Sequence, residues 1–404
     1  MKKSLKLLLL FLILGLSFIL TACENDYITY ALSEDGSSYF VTGYVGDSKK
    51  IVIPSKYKKL PVTGISDSAF SGCESLTSIE IPKSVKSIGE YGFRVCKNLK
   101  SIVIPENVTS IKGTAFLGCS NLRKIVVNEN NKVYDSRNNC NAIIETKTNT
   151  LIVGCSGTQI PDSVISIGKD AFYKSENFEY NIYDNAKYLG NKDNPYFLLV
   201  DTIDYNITSC EINENTKIIG YQAFFSCYKL TSIKIPEGVI TIELRAFMDC
   251  WNLSSIEIPE SIRGIGGAAF FGCVKLKGIE IPEGIINIGT SAFSSTDLTY
   301  NIYNNGKYIG NKDNPYLVLV SAINENITSC EINSNTKIIC AYAFKGCKNL
   351  TSIKISDNVK SIGYYPFKEC DSLTIYCEVL EKPDSWVNDW NPDNRPVVWD
   401  YQEN

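Results

Sequence analysis

Hydrophobic positions recur along this chain with a period of 23 residues. From Leu230 the segment LTSIKIPEGVITIELRAFMDC is followed two residues later by LSSIEIPESIRGIGGAAFFGC, and Phe224, Phe247, Phe270 and Phe293 are each 23 after the last. A period in the twenties marks a solenoid, in which each coil buries its apolar side against its neighbours. Within one coil Leu253, Ile256 and Ile258 follow an L..I.I spacing. The two Ile side chains then point inward while Ser255 and Glu257 point outward, which predicts a short parallel strand. Pro259 ends it, because proline cannot donate the next ladder bond. Ile262 and Ile265 supply a second inward pair, Gly266 allows a turn that a Cβ would oppose, and Ala269-Phe270 with Cys273 predicts a short helical turn. The expected fold class is an α/β repeat solenoid of short parallel strands and short helical turns.

The interruptions of the period define the organisation. Phe70, Phe93 and Phe116 keep the spacing, but Phe172 arrives only 56 residues after Phe116. The extra length holds NAIIETKTNTLIV, Asn141 to Val153, two apolar runs around a polar centre that predict a hairpin. Tyr180 to Phe224 aligns without a gap with Tyr300 to Phe344 at an offset of 120, so a block of the array has been duplicated. Each copy opens with a Tyr-rich hairpin turning at Asn191 to Pro195 or Asn311 to Pro315, where Asn, Asp and Pro favour turns. The domain reading is a signal segment (1–22), an N-terminal cap (23–60), a solenoid (61–377) with insertions at about 128–157, 179–206 and 299–326, and a C-terminal cap (378–404) carrying Trp386, Trp390 and Trp399.

Lys2, Lys3 and Lys6 precede the apolar run Leu7 to Ile19, which is too short and wrongly flanked for a spanning helix and predicts a cleaved signal peptide. It ends in Leu20-Thr21-Ala22-Cys23, which resembles a bacterial lipobox. That resemblance implies a lipidated Cys23 and an exported chain tethered to a membrane, since several acyl chains anchor durably.

Composition narrows the chemistry. The formal charge is −4, and without the first 22 residues 37 bases face 44 acids, or −7. No clustered cationic face exists to release counterions from nucleic acid. Histidine is absent, which removes the commonest general base and metal ligand, so neither an enzyme, a metal site nor a cofactor is expected. Gly264 to Ala269 mimics a dinucleotide fingerprint, but it lacks the crossover helix and its Gly266 is the repeat glycine. Of 15 cysteines, eight occupy the AF..C position, from Cys73 to Cys370, and read as a column of buried thiols. An exported setting leaves a Cys140–Cys155 bridge open.

The unit I.IP..V..IG..AF..C..L resembles the BspA-type leucine-rich repeat of bacterial cell-surface proteins over nearly the whole chain beyond Cys23. The resemblance implies adhesion or binding of protein or glycan ligands, with no binding residue carried over by motif. The outward strand residues Ser78, Glu80, Ser232, Lys234, Ser255, Glu257, Glu280, Ser329, Glu331, Ser352 and Lys354 would line the binding face. Tyr183, Tyr188, Tyr303 and Tyr308, taken as exposed, are alternative anchors. The other reading is a structural or periplasm-facing lipoprotein scaffold without a host ligand.

Overall fold

A computed structural model describes residues 26–172 and 178–402. The expected signal segment and Cys23 lie outside the described residues. Two compact units divide at Lys132/Val133.

A regular coil offers two strand positions, of which the coil of Phe293 forms only the second, Asn287–Ile288. In the first unit Lys50–Val52 runs parallel to Ser78–Glu80, and Ser101–Ile104 to Lys124–Val127. In the second, Ser232–Lys234 pairs with Ser255–Glu257, and Cys330–Glu331, Ser352–Ile355 and Thr374–Cys377 form a further parallel set. The other strand of each coil follows the proline. Ile218–Ile219, Thr241–Ile242, Gly264–Ile265 and Asn287–Ile288 form the longer ladder, with Thr241 beside Gly264 and Gly264 beside Asn287 at the repeat spacing. Ile262 and Ile265 are therefore not just an inward pair. Gly264–Ile265 is a strand, too short for its alternation to be read from the sequence.

The expected helical turn does not form. Arg245 and Asp249 have φ of 59° and 61°, Ala268 and Gly272 51° and 76°, and Ser291 and Ser295 58° and 59°. Left-handed residues at that interval break the i→i−4 ladder of a helix. The freed N–H groups point along the array: Arg245 donates to Gly267 O at 2.9 Å, Phe247 to Ala269 O at 2.8 Å and Asp249 to Phe271 O at 2.8 Å. Two three-residue 3-10 helices, Arg137–Asn139 and Asn388–Trp390, are the only helices among the described residues. The fold is a solenoid of strands and turns, and the α component of the expected class is corrected.

The core lies between the two strand positions and the turns. Phe224, Phe247, Phe270 and Phe293 stack with centroids 5.0, 5.4 and 5.7 Å apart, and Phe70, Phe93 and Phe116 with 5.4 and 5.2 Å. Beside the rings, Cys250 Sγ–H donates to Phe224 O at 3.1 Å and Cys273 Sγ–H to Phe247 O at 3.2 Å. Cys140 is a free thiol. Cys155 instead donates to Asn141 O at 3.2 Å. Burial pushes the Cys227 thiol up to about 11 and Cys273 up to about 12.

At Gly266 the close approach of the neighbouring coil leaves no room for a side chain. A Cβ on Gly266 would sit 2.3 Å from Leu244 N. Glu243 stands at the same repeat position one coil earlier and reaches a neighbouring strand, where its Oε1 accepts from Ile167 N–H at 2.9 Å and from Ser166 Oγ–H at 2.8 Å.

Each duplicated insertion is a three-stranded antiparallel meander: Asn181–Tyr183, Ala186–Leu189 and Leu198–Thr202, then Asn301–Tyr303, Gly306–Ile309 and Val318–Ala322. Its last strand joins the parallel ladder, Leu198 beside Ile218 and Val318 beside Ile338. Tyr188 and Tyr308 are fully buried, and their hydroxyls accept from Asn213 N–H and Asn333 N–H at 3.3 Å. Tyr183 and Tyr303 are half-buried. These tyrosines pack the meanders and are not free anchors. At the C-terminal side Trp386 is buried and donates from Nε1–H to Val359 O at 3.2 Å.

Candidate ligand-binding face

Strand alternation decides which side chains leave the coil. In the second unit Ile233 and Ile256 are buried, while Ser232, Lys234, Ser255 and Glu257 are exposed. Register sets Ser232 beside Ser255 and Lys234 beside Glu257, so one cation and one anion face solvent together. In the first unit Glu80 is exposed and Ser78 half-buried, but the same face carries Val52 and Val103 at 62% and 55% exposure, so it is less polar than the spacing implied.

The remaining expected positions separate. Glu280 lies on no strand, and its carboxylate meets Lys312 Nζ at 3.7 Å on the open surface. Ser329 sits just before the Cys330–Glu331 strand, its carbonyl accepting from Asn305 Nδ2 at 2.9 Å. Glu331 Oε2 accepts from Asn304 Nδ2 at 2.7 Å, which ties that acid to the meander. Ser352 is exposed. Lys354 is half-buried: its ammonium pairs with Glu378 at 3.0 Å and lies 5.9 Å from the Tyr401 ring centroid, which commits it to the C-terminal segment. The structure thus brings together Ser232, Lys234, Ser255 and Glu257 on one pair of strands, and sets Glu331 beside Lys354 on another.

Beside that quartet lies a feature the strand pattern does not reveal. Tyr228, Trp251 and Val274 each follow the repeat cysteine, 23 apart, and are 37%, 55% and 51% exposed. Tyr228 and Trp251 have ring centroids 6.2 Å apart. The Tyr228 hydroxyl donates to Asn206 Oδ1 at 2.8 Å and Asn252 Nδ2 to Tyr228 O at 2.5 Å, so the loop under the rings is fixed. Elsewhere the same repeat position holds Glu74, Lys97, Ser120, Lys348 and Asp371. The signal was present in the sequence: three successive coils carry Tyr, Trp or Val where the other coils carry a charged residue or a serine, and burial does not demand it.

The BspA type leucine rich repeat region matches in six copies, over residues 44–151, 152–192, 203–313 and 323–379. The chain belongs to the BspA-type leucine-rich repeat family. No curated protein matches this BspA-type chain. Among solved structures it is similar to a leucine-rich repeat protein from Bacteroides ovatus, 22% identical over 94% of this chain and 100% of that one, with a TM-score of 0.34. A leucine rich cell surface protein from Faecalibacterium prausnitzii is 21% identical over 89% and 96%, with a TM-score of 0.30. A leucine-rich repeat protein from Eubacterium ventriosum is 20% identical over 70% and 99%, also at 0.30. Among the described residues of this BspA-type chain, no group of Cys, Asp and Glu side chains is arranged to hold a metal ion.

Proposed function

We propose that the chain is an exported bacterial surface protein, lipid-anchored through Cys23, that binds an extracellular protein or glycan through the coils from Tyr228 to Val274. The observation that carries the binding reading is the exposed row of Tyr228, Trp251 and Val274 beside Ser232, Lys234, Ser255 and Glu257. An aromatic anchor rimmed by polar groups is the arrangement in which a few residues supply most of an interface's energy. Export and anchoring rest on the resemblance of Leu20 to Cys23 to a lipobox.

Full-length protein in mild detergent, titrated against immobilised matrix proteins and a glycan array, should bind at least one class saturably. Trp251→Ala should weaken that binding about 10-fold or more, the loss expected of a hot-spot ring. Absence of saturable binding in both classes would leave the scaffold reading standing and remove this one. Lipidation is read separately: labelled palmitate should enter the wild-type chain in its host and not Cys23→Ala, and protease shaving of intact cells should remove the protein.

A further inference from the structure

The two copies of the duplicated block differ where each meander meets the coil before it. In the first copy Lys187 and Asp201 are cross-strand partners and their side chains pair at 3.4 Å. In the second, Lys307 faces Ser321 across the same two strands, and the Ser321 hydroxyl donates to Ala322 O at 3.0 Å. Among the described residues Lys307 forms no ion pair, and its ammonium lies 5.8 Å from the Tyr300 ring centroid. The preceding coil changes in the same sense, with Asp170 two residues before Phe172 and Ser291 two residues before Phe293. Two acids of the first junction are thus two serines in the second.

A cavity of about 250 Å³ lies at the second junction, and Ser291, Phe293, Tyr300, Ser321, Cys340 and Tyr342 help to line it. Its floor is a row of backbone donors. In the coils just before, Ala268 and Phe270 donate their N–H groups to Thr290 O and Ala292 O, both at 2.8 Å. Ser291 and Phe293 are the next donors in that series. The meander displaces the coil that would accept from them, and among the described residues neither N–H has a partner. Peptide N–H groups and serine hydroxyls line the space with no carboxylate among them, and Lys307 is the cross-strand neighbour of the lining Ser321, an arrangement suited to negative charge in a space that several water volumes would fill.

We propose that this cavity binds a small oxyanion, a carboxylate or phosphate group, between the peptide N–H groups of Ser291 and Phe293 and the ammonium of Lys307. The first junction does not share the property, because Asp201 already neutralises Lys187. The anion could be free or the charged end of a larger molecule, and the shared chemistry is the oxyanion itself.

Calorimetric titration of the full-length chain with inorganic phosphate and, separately, with acetate tests this. At least one should bind saturably with a dissociation constant in the millimolar range or tighter. Ser321→Asp, which restores the lysine-carboxylate pair of the first block and should therefore fold, should weaken binding at least 10-fold. Lys307→Gln should do the same, and Lys187→Gln should change nothing. Phosphate preference points to a phosphoryl ligand and acetate preference to a carboxylate, either of which upholds the site. No saturable binding of either anion, or equal binding by Ser321→Asp, overturns it.

Discussion

The clean coils from Leu230 to Phe293 and the meander blocks on either side of them solve the same problem differently. In the clean coils the turns at Phe247 and Phe270 donate N–H groups to the next coil, and the phenylalanine column seals the interior. Its surface is then free to vary, and Trp251 is exposed there at no expense to the core. In a meander block the ladder is interrupted and buried tyrosine hydroxyls take over part of the satisfaction of the backbone, as Tyr188 and Tyr308 do for Asn213 and Asn333. Regular stacking therefore frees the surface, while interruption creates polar gaps that particular side chains must fill or that a ligand can occupy.

The comparison can be broken most sharply at the column. Phe247→Ala should cost about 3–5 kcal/mol, because the ring is fully buried between two stacked neighbours that cannot collapse onto the space, and denaturant unfolding will measure it. Glu243→Ala comes next, at about 2 kcal/mol, since it orphans Ile167 N–H and Ser166 Oγ–H. The Glu243 carboxyl is enclosed even though the residue as a whole keeps some exposure, and burial raises its pKa despite those two hydrogen bonds. A carboxyl whose folded pKa is raised contributes stability that is fully present below its unfolded pKa and lost as pH rises through the folded one. Wild-type stability should therefore fall as pH rises above the ordinary glutamate range, and Glu243→Gln should flatten that part of the profile, as melting temperatures between pH 4 and pH 8 will show. Tyr188→Phe should cost about 1 kcal/mol by removing one acceptor from Asn213 N–H, and Tyr308→Phe the same, which tests whether the two meanders are equivalent. The smallest effect is expected at Lys312→Ala, within about 0.5 kcal/mol, because its pair with Glu280 is exposed on both sides.

Much of the array was legible because a solenoid repeats its instructions. The Phe and Cys columns, the inward Ile positions and the antiparallel pair at Ile143–Glu145 and Thr150–Val153 follow from spacing alone. The helical turn was misread because Ala269, Phe270 and Cys273 have helical spacing, while the left-handed φ at Ala268 belongs to a residue type that gives no warning of it. Part of each meander was hidden for a related reason. The Asn191 to Pro195 turn shows in its residue types, but the tighter reversal at Asp184-Asn185 adds a strand to what was expected as a hairpin with that single turn. The candidate face was half legible: alternation finds Ser232, Lys234, Ser255 and Glu257, but Trp251 sits in a turn, where no period announces the direction of a side chain.

The ladder between turns has a direction. Each coil offers peptide N–H groups on one side and carbonyls on the other, and the same connector joins Phe224 to Ala246, Phe247 to Ala269 and Phe270 to Ala292. Any two coils are thus plug-compatible in one orientation only. A stretch spanning a whole number of coils can be copied or deleted by recombination without designing a new joint, as the block repeated at an offset of 120 residues illustrates. Array length is in this sense an inherited setting that can change in one genetic event, while the packing inside each coil stays as it was.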